Sequence, residues 1–195
     1  MVAKFLKRGR GFLKCAAWPL AFASITFTVF FWPTLLPAPV PAVTAPCDVA
    51  EAVQAHIVSS ERPSMGPLER EFWRAAVARY AGKHGVPIEV YAALVAQESH
   101  FRAHVVSHKG ARGAAQLMPT WTKDFDPFEI EANLDKGAEV LAAYIKDAGN
   151  LRGGLRRYNG GPKGEQIPAT ASYADAILAR VYLAEKAACK PSPAV

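Results

Sequence analysis

The chain has 195 residues, 51% of them hydrophobic, and a formal net charge of +6. Five of its 23 basic residues (Lys4, Lys7, Arg8, Arg10 and Lys14) precede Asp48, the first of its 17 acids, so the chain from Asp48 onward carries only +1. The basic excess belongs to the N-terminal end, and with no basic stripe interleaved with aromatics elsewhere, a nucleic-acid partner is excluded.

Behind the basic end, Cys15 to Trp32 run without a charge, and prolines recur from Pro33 to Pro46. Residues 1–32 read as an export signal or an uncleaved membrane anchor, because eighteen uncharged residues lie at the lower bound for crossing a bilayer. The positive end stays in the cytoplasm, so the remainder is expected on the periplasmic side, held to the inner membrane by residues 15–32 if the leader is kept. Gly9 between Arg8 and Arg10 breaks a twin-arginine signal, and Pro46 ahead of Cys47 argues against lipidation there. Residues 33–46 are a proline-rich, semi-rigid spacer.

About 150 residues remain, enough for one core. Residues 47–66 form a helical lead-in, with apolar spacing from Asp48 to Ser60, and residues 67–190 form the main domain. Pro67 suits a first helical turn, and Leu68, Phe72, Ala75, Ala76 and Arg79 fall on one stripe of a helix that ends near Gly82. A further helix runs from Ile88 to Ser99. Two more cover Asn133 to Ala148 (Leu134, Ala138, Leu141, Ile145) and Ala171 to Ala188 (Tyr173, Ile177, Val181, Ala184). The fold is therefore mainly α, with sheet as a minor element at most. Arg152, Arg156 and Arg157 read as a solvated helix face. Cys47 and Cys189 stand at the two ends of the exported part, where they form a disulfide or remain two terminal thiols.

On the helix from Ile88, Tyr91, Leu94, Val95 and Glu98 occur at i, i+3, i+4 and i+7, so one acid shares the apolar face. Turned inward, Glu98 loses solvation, its pKa rises, and it becomes a general acid; turned outward, it is a solvated residue at a helix end. His100, His104 and His108 recur every four residues, but the turn from Ser107 to Gly113 interrupts the helix that a zinc site would need, and no metal is expected.

Glu98-Ser-His-Phe101, Ser107, Gly110-Ala-Arg-Gly113, Gln116-Leu-Met-Pro119, Asp126-Pro127, Asn133-Leu134 with Gly137, and Tyr158-Asn-Gly-Gly-Pro162 together resemble the soluble-lytic-transglycosylase family of the lysozyme superfamily. The resemblance runs from about Pro67 to Leu183. It implies a lysozyme-like helical domain behind the leader, acting on peptidoglycan glycan strands. The reaction implied is cleavage of the β-1,4 bond between N-acetylmuramic acid and N-acetylglucosamine, leaving a 1,6-anhydromuramoyl end. It also implies that Glu98 is the catalytic acid, that Ser107, Gln116, Met118, Tyr158 and Asn159 bind substrate, and that Tyr158 reaches toward Glu98. The chain departs from the family's usual residues at Ala114-Ala115, Trp121, Arg156-Arg157 and Ala169-Thr170.

Hydrolytic glycosidases use two carboxylates. Here only Glu98 has a site-like setting, which favours ring closure by the sugar's own C6 hydroxyl over attack by water, with no metal or organic cofactor. A lysozyme-type hydrolase and a catalytically idle wall-binding assembly module are the alternatives. Small size and an anchor suit local wall opening for a secretion or conjugation apparatus, an argument by analogy.

Overall fold

In the computed structural model, which describes residues 49–188, six α-helices account for most of the described residues: α1 (Val49–Glu61), α2 (Pro67–His84), α3 (Ile88–Ser99), α4 (Ile130–Ala148), α5 (Leu151–Gly160) and α6 (Ala169–Ala188). Short 3₁₀ turns occupy Pro119–Trp121 and Gly164–Gln166, and among the described residues sheet is limited to isolated bridges of Arg112 with Val106 and Leu117. The fold is mainly α, as its periodicity implies. The leader, the proline-rich spacer, Cys47 and Cys189 lie outside the described residues.

The centre of the fold is α3. Every residue from Val90 to Ala96 is buried, and α1, α2 and α6 surround it. A helix that is apolar on all sides belongs in an interior. The segment expected as a lead-in supplies α1, whose Val53, Ile57 and Val58 belong to the same core as α3 and α6. The start of α1 also neighbours the end of α6, since Val49 shares a hollow with Glu185 and Lys186.

Two expectations need correction. The buried residues of α2 are Trp73, Ala76, Val77 and Ala81, whereas Leu68 and Phe72 are 88% and 41% exposed. The helix is rotated by about one residue because the large Trp73 ring packs edge-on against the buried Phe101, with centroids 5.7 Å apart. The arginines of α5 are not a uniformly solvated face. Arg156 donates to the carbonyls of Glu165 (2.6 Å) and Ile167 (3.3 Å), and Arg157 donates to Glu165 Oε1 at 2.6 Å and to Asp147. Only Arg152, paired with Asp175, projects into solvent.

Between α3 and α4 the chain folds back on itself with little regular structure. Gly113 N–H donates to the Val105 carbonyl (3.0 Å), and Arg112 and Leu117 exchange both backbone bonds. What ties this excursion to α4 is Asn133, which is fully buried. Its Oδ1 accepts from Ala115 N (2.7 Å), and its Nδ2 donates to the carbonyls of Arg112 (3.2 Å) and Pro127 (2.9 Å). Gly113 makes room for it: at φ +79°, a Cβ there would lie 2.1 Å from the Pro127 oxygen and 2.3 Å from Asn133 Nδ2. Asn133→Ala leaves a buried N–H and two carbonyls without their partner, which costs about 1–3 kcal/mol. Its Tm is expected to fall by roughly 3–10 °C, and a calorimetric Tm equal to the parent's would show that the clamp is dispensable.

Candidate active site

The last turn of α3 delivers Glu98 to the surface of the core. Immediately after it, His100 (φ 51°) and Phe101 (φ 55°) both adopt left-handed backbone, so the chain reverses sharply while the Phe101 ring stays buried. Two interactions hold this turn: Arg62 donates to the Phe101 carbonyl at 2.8 Å, and Ser99 Oγ accepts from Arg102 N at 3.3 Å. The excursion then returns past Glu98, where a third strained residue, Gln116 (φ 50°), anchors its Nε2 on the carbonyls of Gly113 (2.8 Å) and Val105 (3.1 Å). Three non-glycine residues in left-handed conformation around one carboxyl mark a place where tertiary structure overrides local preference.

Glu98, Ser107, Gln116, Met118, Tyr158 and Asn159, separated by up to 61 positions in sequence, line one cavity of about 240 Å³ together with His108, Lys109 and Ala111. Most of the lining side chains are polar, and Met118, 43% exposed, offers an apolar contact. Ser107 Oγ accepts from Ala111 N at 3.0 Å, so it shapes its own turn as well as facing the cavity.

The phenol on the carboxyl is not that of Tyr158. Tyr158 donates to the Ala115 carbonyl at 2.8 Å, and it is Tyr173, near the start of α6, that donates a hydrogen bond to Glu98 Oε1. Tyr158, expected to reach toward Glu98, gives its hydroxyl to Ala115 instead, although the residue still walls the cavity. Tyr173 was legible only as a member of the apolar stripe of α6. That stripe packs on α3, which is the signal that places Tyr173 beside α3's terminal acid. Gly137 allows the close approach beneath, since a Cβ there would come within 2.6 Å of Ala115 Cβ and 2.8 Å of the Tyr91 hydroxyl.

Burial pushes the Glu98 carboxyl up from its ordinary value of 4.5 to about 7, against the opposing effect of the Tyr173 hydrogen bond. The phenols of Tyr158 and Tyr173 are raised well above their usual value by burial, with the neighbouring Glu98 charge adding to it, so both remain hydrogen-bond donors. Three of the acids that follow are engaged elsewhere: Glu129 caps α4, Asp126 accepts from Phe128 N, and Glu131 in α4 accepts from the Tyr80 hydroxyl. The three histidines also point apart. His100 pairs with Glu61, His104 stacks on Phe128, and His108 faces the cavity.

Comparison with known proteins agrees with this picture. Residues 75–176, just over half of the chain, match the family model of the transglycosylase SLT domain. The membrane-bound lytic murein transglycosylase F of Desulfosudis oleivorans is 33% identical over 73 residues, which cover 36% of this chain and 16% of that protein. The structure of an inactive glutamate-to-glutamine mutant of the lytic transglycosylase Slt from Pseudomonas aeruginosa matches with a TM-score of 0.52 at 22% identity, over 62% of this chain and 25% of that one. The likeness shows a shared lysozyme-like helical fold. The chain spans only a fraction of the length of either relative.

A raised carboxyl pKa leaves a mark on stability. Below about pH 4.5 both folded and unfolded chains hold the Glu98 proton and nothing is lost. As pH rises toward 7 the unfolded chain ionises first, and the folded state is disfavoured by up to about 3 kcal/mol. Glu98→Gln removes this dependence. The variant is expected to match the parent near pH 4 and to exceed it by about that amount near pH 8 in urea denaturation. A pH-independent offset between the two proteins would contradict the raised value.

Proposed function

Because the chain belongs to the transglycosylase SLT-domain family, we propose that it is a peptidoglycan lytic transglycosylase. It cleaves the β-1,4 bond between N-acetylmuramic acid and N-acetylglucosamine and leaves a 1,6-anhydromuramoyl end. The observation that carries this reading is a single carboxyl with a pKa of about 7, lining a cavity that holds no second carboxylate.

With its pKa raised to about 7, Glu98 exchanges its proton near neutral pH, so the residue is poised to give one up and take one back. Protonated Glu98 donates to the glycosidic oxygen as that bond breaks. The 2-acetamido oxygen of the sugar supports the electron-poor anomeric carbon. Glu98, now a carboxylate, removes the C6 hydroxyl proton while that oxygen closes on the anomeric carbon, and no water is consumed. The internal nucleophile replaces the second carboxylate that a hydrolase of this kind uses. Tyr173 holds the carboxyl rotamer and stabilises its charged form, while Gln116, Ser107, Met118, Tyr158 and Asn159 orient the saccharide. The uncharged run of residues 15–32 supports export, with the domain on the periplasmic side and anchored in the inner membrane if the leader is uncleaved. Local opening of the wall for an envelope-spanning secretion or conjugation machine is the cellular role we infer, from the combination of a leader with one small wall-cutting domain.

Digestion of purified sacculi followed by mass analysis tests the chemistry directly. Anhydro ends, one water lighter than reducing ends, are expected from the parent, and Glu98→Gln should lower their release by orders of magnitude. Reducing ends as the main product would replace this reading by hydrolysis. Activity should also fall as pH rises through about 7, where Glu98 loses its proton. Since the Tyr173 bond favours the carboxylate, Tyr173→Phe should move that alkaline limb to higher pH, and Tyr158→Phe should leave it in place. The reverse pattern would return Tyr158 to the carboxyl.

A further inference from the structure

The sharp reversal after Glu98 is braced from outside α3. Glu61, the last residue of α1, keeps only 16% of its side chain exposed and engages both carboxylate oxygens. Its Oε2 pairs with Nδ1 of His100 at 3.0 Å, and its Oε1 accepts from Nε of Arg180 in α6. A carboxylate only accepts, so His100 Nδ1 carries the proton of that bond. Arg180 reaches on with Nη1 to the side-chain oxygen of Gln97 at 3.0 Å. One acid thereby holds, directly or through one guanidinium, the residue before Glu98 and the residue two after it.

Arg62, the next residue, donates to the Phe101 carbonyl, so both left-handed residues, His100 and Phe101, are tied to the end of α1. Such conformations persist only where surrounding contacts over-determine them. Glu61, Arg62 and Arg180 all lie outside the stretch 75–176 that matches the family model. A hollow of about 400 Å³ between α1 and α6 is lined by Glu61, Gln97 and Arg180, beside Ala176 and Ala179. Solvent reaches the brace through it and screens the charges, which leaves the pairs little weight in overall stability. Position is what they supply. Gln97 faces this hollow and Glu98 faces the cavity, so the last turn of α3 is gripped on one side and presents its carboxyl on another.

Resting on the function proposed above, we propose that Glu61 is a positioning residue of the reaction: with Arg180, it holds the last turn of α3 so that the Glu98 carboxyl stays against Tyr173 and faces the cavity. Glu61 lies outside that cavity and acts only through the turn. Without it, His100 and Phe101 relax toward ordinary backbone, and Glu98 moves outward into water.

Kinetics on the full chain separate positioning from folding. Glu61→Ala is expected to lower kcat roughly ten- to a hundredfold, the usual consequence of a misplaced reacting group. KM stays near parental, because Gln116 and Met118 are held through Asn133, and Tyr158 by α5. The alkaline limb of the pH–rate profile moves to lower pH, since a displaced Glu98 regains water and ionises more easily. Glu61→Gln restores both, as its amide oxygen still accepts from Arg180 and its NH₂ donates to His100 in the other tautomer. Arg180→Lys lacks the fork that serves Glu61 and Gln97 together, so it shifts the limb in the same direction and carries the test should Glu61→Ala not fold. Glu71→Ala, which breaks an exposed pair on α2, leaves rate and limb at parental values. A loss of rate that is equal at every pH overturns the proposal, as does parental kcat in both Glu61→Ala and Arg180→Lys. Glu98 ionisation is also read without substrate, from the pH-dependent gap in urea stability between each background and its Glu98→Gln counterpart. That gap is expected to shrink in the Glu61→Ala background, and an unchanged gap overturns the brace. A parent that cuts no glycan, together with a shrunken gap, would sink the transglycosylase reading and leave the brace standing.

Discussion

The buried amide of Asn133 is the constraint on which the candidate site depends. The chain between α3 and α4 is long, nearly without regular structure, and carries most of the cavity's lining. Such a segment holds one shape only if its backbone polar groups find fixed partners. Asn133 provides three of them from the first turns of α4, and Gly113 gives up its side chain so that the amide can reach them. Through this clamp the position of Gln116 and Met118 is set by the packing of α4 on the core, not by the excursion's own sequence. Glu98 is fixed from the other side, by a helix that is buried on all faces. The cavity is the gap left between two rigidly held parts.

Much of this was legible in the sequence, and what was not has a common cause. The limits of α3 and the buried stripes of α4 and α6 follow from spacing alone, because the apolar residues there are large and regularly placed. In α2, alanines on two faces make two stripes almost equally apolar, and the contact of Trp73 with Phe101, which decides between them, lies outside the helix. The same limit applies to polar groups. Arg156 and Arg157 look like solvent-facing cations until the turn after α5 brings the carbonyls of Glu165 and Ile167 against Arg156 and the Glu165 carboxylate against Arg157. The cavity residues could be named from separated motifs, but the choice between Tyr158 and Tyr173 as partner of Glu98 could not. Both are aromatic, both lie near it, and the bond that distinguishes them links positions 75 apart.

The environment of Glu98 balances two opposed effects. Desolvation favours the neutral acid and the Tyr173 phenol favours the anion, and burial prevails without eliminating the charged form. A group required to release and recover a proton within one turnover needs this intermediate setting. Full burial would lock the proton in place, and full exposure would leave the group ionised throughout. The strained backbone at His100, Phe101 and Gln116 belongs to the same compromise, because it lets the chain leave the core beside the carboxyl without covering it.

The nearness of Val49 to Glu185 and Lys186 bears on how this unit travels between proteins. A domain whose first and last helices meet at one pole can be spliced into a host chain through a single doorway, with both junctions on the same side and no strand drawn across the cleft. The relatives it matches are longer, this chain matching only 16% and 25% of their lengths. A cassette of this geometry can acquire new neighbours at either junction while the Glu98 cavity stays untouched, so differences among such proteins can accumulate in their surroundings rather than in the unit itself.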